Sequence, residues 1–139
     1  MLPVYVISSQ NAFLLCGILK PNKGKELTAM AAININKVQF SELMHGEKPV
    51  LVDFWAPWCG YCRRIGSAYD KIAQEYGDTL VVAKLNIDEE PLLSEAEQIE
   101  VIPTLVLYRK GEVIDSIVAP ESKARIDRFI RSALDGREV

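Results

Sequence analysis

From residue 34 onward the apolar positions fall into short unbroken runs alternating with helical stripes. Lys48-Pro49 opens the run Val50-Leu51-Val52-Asp53-Phe54-Trp55, interrupted only by Asp53, and this β-branched and aromatic stretch predicts a strand buried on both faces. Ala56–Gly60 reads as a turn. Ile65, Ala68, Tyr69, Ile72, Ala73 and Tyr76 then recur at helical spacing, with Gly77 closing that helix. Leu80–Ile87 is a second apolar strand, and Pro91 starts a short helix reaching about Gln98. Pro103 precedes a third strand, Thr104–Tyr108, which Lys110-Gly111 turns into a fourth, Glu112–Val118. Ser122 suits the N-cap of a last helix whose stripe is Ile126, Phe129, Ile130, Ala133 and Leu134, ending at Gly136. Strands alternating with helices, then a hairpin and a final helix, define an α/β chain: a central mixed β-sheet flanked by helices on both faces.

Residues 1–33 follow no such pattern and are expected to be a dispensable N-terminal extension, with the folded domain spanning 34–139. Their single apolar stretch, Ala12–Leu19, is far short of the roughly 20 residues that cross a bilayer. No Lys or Arg precedes it and no small-x-small site follows it, so it makes a poor secretory signal. A start at Met30, a weak targeting segment and an added structural element are the alternatives for this stretch.

Composition narrows the class without naming a reaction. Hydrophobic residues make up 49% and charged residues 25% of the 139, enough apolar material for one core. A net charge of −3 and the lack of a Lys/Arg cluster give no electrostatic reason to expect nucleic acid or an anionic membrane as partner. Three cysteines cannot form a disulfide framework, and their odd number fits a reducing compartment.

The chemistry concentrates where the first strand gives way to a helix. With Cys59 as N-cap and Gly60, Tyr61 and Cys62 as the first helical residues, a spacing of three puts both sulfurs on one side of the first turn. Unpaired amides and the positive helix end stabilise a thiolate at Cys59, whose pKa should fall below the free value of about 8.5. Cys59 would attack a disulfide and Cys62 would resolve the mixed disulfide. Gly60 keeps the approach open. Tyr61, unlike a proline, can add its own amide to the Cys59 thiolate, which would make the couple some tens of millivolts more oxidising. A C-x-x-C can also be half of a zinc site, but zinc wants four ligands at a structural site. The remaining candidates are Cys16, in the extension, and His45, which reads as a solvated loop or helix end. No metal or other cofactor is therefore expected.

Asp53 admits two readings. Turned into the core it would be desolvated, its pKa raised, and it could accept the Cys62 proton; turned outward by the pleat it would be an ordinary surface carboxylate. Lys84, in the neighbouring strand, could partner it or simply be exposed. Ile102-Pro103-Thr104 puts a proline at a strand edge, an ordinary position that is also where a cis peptide would form a tight feature.

Through Val52-Asp53-Phe54-Trp55-Ala56-Pro57-Trp58-Cys59-Gly60-Tyr61-Cys62 the chain closely resembles the thioredoxin family. The resemblance continues through Lys84–Asp88, Ile102-Pro103-Thr104 and Lys110-Gly111-Glu112-Val113, in the family's order and spacing. It implies a thioredoxin fold, with Cys59 as attacking thiol, Cys62 as resolving thiol, and Asp53 with Lys84 as a buried proton-handling pair. It implies too that Pro103 is cis and faces the disulfide. Trp58, Gly60, Tyr61, Ile102 and Pro103 would then receive an extended substrate segment, with backbone hydrogen bonds near Ile102 and Trp55 packed behind. Four departures stand out. Tyr61 replaces the usual proline between the cysteines, and Ser67 replaces a helix-kinking proline, so that helix is expected to run straighter. Ala119 and Val101 stand where glycines are common. Cys-Gly-Tyr-Cys itself is similar to the motif of bacterial periplasmic disulfide isomerases, whose dimerisation region this chain lacks.

The reading that follows is a small monomeric thiol–disulfide oxidoreductase of the cytoplasm. It would reduce protein disulfides and be recharged by a reductase of the thioredoxin-reductase type. A more oxidising oxidase or isomerase, and a redox-inert binding module of the same fold, are the alternatives.

Overall fold

The computed structural model describes residues 31–136. The extension and Cys16 lie outside them, apart from its last three residues.

Ten elements follow in chain order: β1 (Ile33–Asn34), α1 (Lys37–Met44), β2 (Val50–Trp55), α2 (Gly60–Arg64), α3 (Gly66–Tyr76), β3 (Val81–Asn86), α4 (Pro91–Ala96), β4 (Thr104–Arg109), β5 (Glu112–Val118) and α5 (Lys123–Gly136). The strands form one sheet in the order β1-β3-β2-β4-β5. β1 and β2 run parallel to β3, whereas β4 is antiparallel to both β2 and β5, so the sheet is mixed as the sequence pattern predicts. Strand and helix ends differ from that pattern by one or two residues. β1 carries no sequence signal, because two residues cannot display a period; it pairs Ile33 with Ala83.

β2 sits mid-sheet and sorts its side chains by alternation. Val50, Val52 and Phe54 join Phe40 of α1, Ala83, Leu85, Val106 and Tyr108 in one core. Leu51 joins Tyr69, Ile72 and Ala73 of α3 and Ile126, Phe129, Ile130 and Ala133 of α5 in the other. These are the helical stripes read from the sequence, each buried on the sheet as an amphipathic helix requires. α1 begins at a capping box: Asn36 Oδ1 accepts from the Gln39 amide and Gln39 Oε1 from the Asn36 amide, both at 2.9 Å. It ends at His45, whose exposed ring lies 2.8 Å from the Ser41 carbonyl. α5 starts at Ser122, whose hydroxyl accepts from the Arg125 amide at 3.2 Å.

The helix after the cysteines is read from the sequence as one element and is divided in the structure. It divides at Ile65, which closes α2 and opens α3 with φ −87° and ψ 0°. With serine in place of proline at 67 the chain has a Gly66-Ser67 pair, and both residues are weak helix formers at which helices commonly bend.

Candidate active site

Four connections meet at one end of the sheet. The β2–α2 turn, the C-terminal end of β3, the segment entering β4 and the turn leaving β5 come together there because Phe54 and Val118 both pair with Thr104, and Trp55 with Asn86.

Cys59 is the N-cap of α2, with φ −88° and ψ 109°. Cys59 and Cys62 lie at disulfide distance, with their Cα atoms 5.2 Å apart. Both are nearly covered, Cys59 at 9% exposure and Cys62 at 3%. The amide that reaches Cys59 Sγ is that of Cys62, at 3.1 Å. Tyr61 contributes differently from the expectation: the group that makes its contacts is the hydroxyl, 3.1 Å from each of the Ala119 and Pro120 carbonyl oxygens. The Arg64 guanidinium covers the Tyr61 ring at 4.8 Å. Because α2 has only five residues, local amides rather than a summed helix dipole act on the sulfur.

Trp58 projects beside the pair at 66% exposure, yet its indole N–H donates to the Asp88 carboxylate at 3.0 Å. Asp88 closes the family-like stretch Lys84–Asp88, but nothing in the sequence pairs it with Trp58. The link spans 30 residues, so only the pairing of β2 with β3 brings them together. A Cβ added at Gly60 would meet nothing within 4 Å, so space above the first turn is open. Ile102 is half-buried and Pro103 buried, and the Ile102–Pro103 peptide is cis.

Asp53 lies in the core at 1% exposure, and its Oδ1 has no hydrogen-bond partner. Desolvation raises its pKa from 3.8 to about 7, against the opposing pull of Lys84. Lys84 stands opposite Asp53 in the β2–β3 register, but its ammonium lies over the Trp55 ring at 4.2 Å. Lys84 thus acts on Asp53 through its field. Ala119 has φ +47°, the left-handed region that favours the glycine common there, at a cost of roughly 1 kcal/mol for an alanine. Its amide donates to the Pro103 carbonyl at 2.8 Å.

A covered dithiol at a helix N-terminus, on a mixed sheet and close in chain and sheet to a buried carboxylate, defines the class: a thiol–disulfide oxidoreductase. The particular kinship comes from comparison with known proteins. The thioredoxin family model matches residues 31–132. A thioredoxin of Acidithiobacillus ferridurans is 45% identical over 94 residues, covering 68% of this chain and 87% of its own. The thioredoxin of Alicyclobacillus acidocaldarius is 35% identical over 104 residues, covering 75% of this chain and 99% of its own. Among solved structures, a mutant thioredoxin from Halobacterium salinarum superposes with a TM-score of 0.68 at 25% identity, covering 76% of this chain and 93% of that one. The chain belongs to the thioredoxin family.

Among the described residues, no helix is long and apolar enough to cross a membrane.

Proposed function

We propose that this protein is a reducing electron carrier that transfers two electrons from its dithiol to disulfides of other proteins. The observation that carries this reading is Cys59 capping α2, with the Cys62 sulfur at bonding distance and the Cys62 amide directed at Cys59 Sγ. In the reduced protein the same amide would stabilise the Cys59 thiolate.

The Cys59 thiolate attacks one sulfur of the substrate disulfide, forming a mixed disulfide and expelling the other sulfur as a thiolate. Asp53 then accepts the Cys62 proton, for which its pKa near 7 is suited at neutral pH. The Cys62 thiolate attacks Cys59 Sγ, the mixed disulfide breaks, and the second substrate sulfur leaves. The substrate has gained two electrons, and the chain holds the Cys59–Cys62 disulfide. Lys84 keeps the Asp53 carboxylate within reach of its ionised form. Trp58, Gly60, Tyr61, Ile102 and Pro103 receive the polypeptide around the substrate disulfide, and an extended segment pairs with the backbone at Ile102.

The working unit is the domain from residue 34 to 139, acting as a monomer in the cytoplasm and recharged by a reductase of the thioredoxin-reductase type. Equilibrating the purified protein with a glutathione redox series tests the direction of transfer. A potential near the roughly −270 mV of thioredoxin, together with insulin-disulfide reduction, is expected. A potential near the roughly −120 mV of a dedicated oxidant would favour the oxidase reading. A Cys59 that resists alkylation at pH 7 would favour the redox-inert one.

A further inference from the structure

Two of the departures from the family pattern are joined in space. Tyr61 stands in α2 and Ala119 follows β5, 58 residues later, yet the Tyr61 hydroxyl lies 3.1 Å from the Ala119 carbonyl oxygen and 3.1 Å from that of Pro120. The phenol has one hydrogen, shared between these two acceptors. Arg64, one turn along α2, lies over the ring and limits its swing. On its other side Ala119 donates its amide to the Pro103 carbonyl at 2.8 Å. One residue therefore ties the cysteine-bearing helix to the proline segment. That residue holds φ +47°, a conformation an alanine leaves readily unless its neighbours hold it there.

We propose that Tyr61 is a positioning residue whose hydroxyl holds Ala119 in its left-handed conformation and thereby fixes the Pro103 side of the substrate groove. Where glycine occupies this turn, no clamp is needed, because glycine adopts φ > 0 without penalty. Here an alanine occupies it, and the tyrosine compensates. The consequence for substrates rests on the reducing function proposed above. The Ile102–Pro103 segment presents its backbone to an extended polypeptide, so a loosened turn weakens polypeptide capture more than attack on a small disulfide, which needs little of the groove.

The test is a double-mutant cycle of Tyr61→Phe and Ala119→Gly, read by steady-state kinetics and by amide exchange at residue 119. Tyr61→Phe removes one oxygen and keeps the ring beneath Arg64. It should raise KM for insulin about fivefold with a much smaller change in kcat, and lower kcat/KM for a small aromatic disulfide several-fold less. Exchange at residue 119 should accelerate at least fivefold. In the Ala119→Gly background the same substitution should shift KM by less than twofold. An equal effect in both backgrounds, or a loss falling equally on insulin and the small disulfide, would overturn the proposal. Exchange at residue 119 does not depend on turnover: if the protein reduces no insulin, the functional reading fails, while acceleration or its absence still decides the clamp.

Discussion

The two faces of β2 solve different problems with the same six residues. Toward α1 and α4, Val50, Val52 and Phe54 are all apolar, and the core there closes on the edge-to-face pair of Phe40 and Tyr108, 5.4 Å apart at 87°. Toward α3 and α5, Leu51 is followed by Asp53, a carboxylate at 1% exposure with an unpartnered oxygen. A buried carboxylate oxygen without a hydrogen-bond partner costs stability. The first face is built for stability. The second gives up stability at Asp53, the pattern expected where a buried acid serves the chemistry proposed above.

The comparison predicts effects of opposite sign on neighbouring residues. Phe54→Ala, on the apolar face, should cost about 3–5 kcal/mol in urea unfolding through lost burial and a cavity. Asp53→Asn, one residue away, should instead stabilise at pH 8 while slowing turnover. A rise from 3.8 to about 7 corresponds to roughly 4 kcal/mol, and about half of that should remain because the amide inherits an unsatisfied position.

The pH dependence carries the sign. Because the folded-state pKa of Asp53 is raised, its folded form holds a proton that the unfolded chain releases. The stability this group allows is complete below about pH 4 and is lost as pH rises toward 7. The gain from Asp53→Asn should accordingly be near zero at pH 4 and full at pH 8, as denaturant midpoints across that range would reveal. A gain independent of pH would break the contrast between the faces.

The smallest effect belongs to the rim of the α3–α5 face. The Tyr76 hydroxyl donates to Asp127 at 2.6 Å, and that bond, together with Lys123 and Arg131, holds the Asp127 pKa below its usual value. Tyr76→Phe should cost about 1 kcal/mol at neutral pH, reduced by solvent screening at this half-buried site. Since the pKa of Asp127 is depressed, that loss should shrink as pH falls through and below the ordinary carboxylate range. Thermal melts of the two proteins at pH 7 and pH 3 would measure it.

How much of this was legible depends on the range of the signal. The apolar stripes of α3 and α5 and the buried strand β2 are local patterns, and they marked the right residues. The cap at Ser122 was equally local. The break at Ile65 has a local sign too, the Gly66-Ser67 pair. Whether Asp53 turned inward could not be decided from alternation, because every neighbour in β2 is apolar on both faces. Trp58 with Asp88 and Tyr61 with Ala119 could not be read at all. Each bridges 30 residues or more, and only the strand order of the sheet brings the partners together.

The central claim is that Cys59 attacks and Cys62 resolves. Its most direct test is trapping with Cys62→Ser, which leaves the attacking thiol and removes the one that releases the substrate. Incubated with a disulfide-bonded protein and digested without reductant, this variant should yield a mixed disulfide that mass spectrometry maps to Cys59. Cys59→Ser should yield no comparable adduct and no insulin reduction. An adduct mapping to Cys16, or equal trapping by the two variants, would contradict the account.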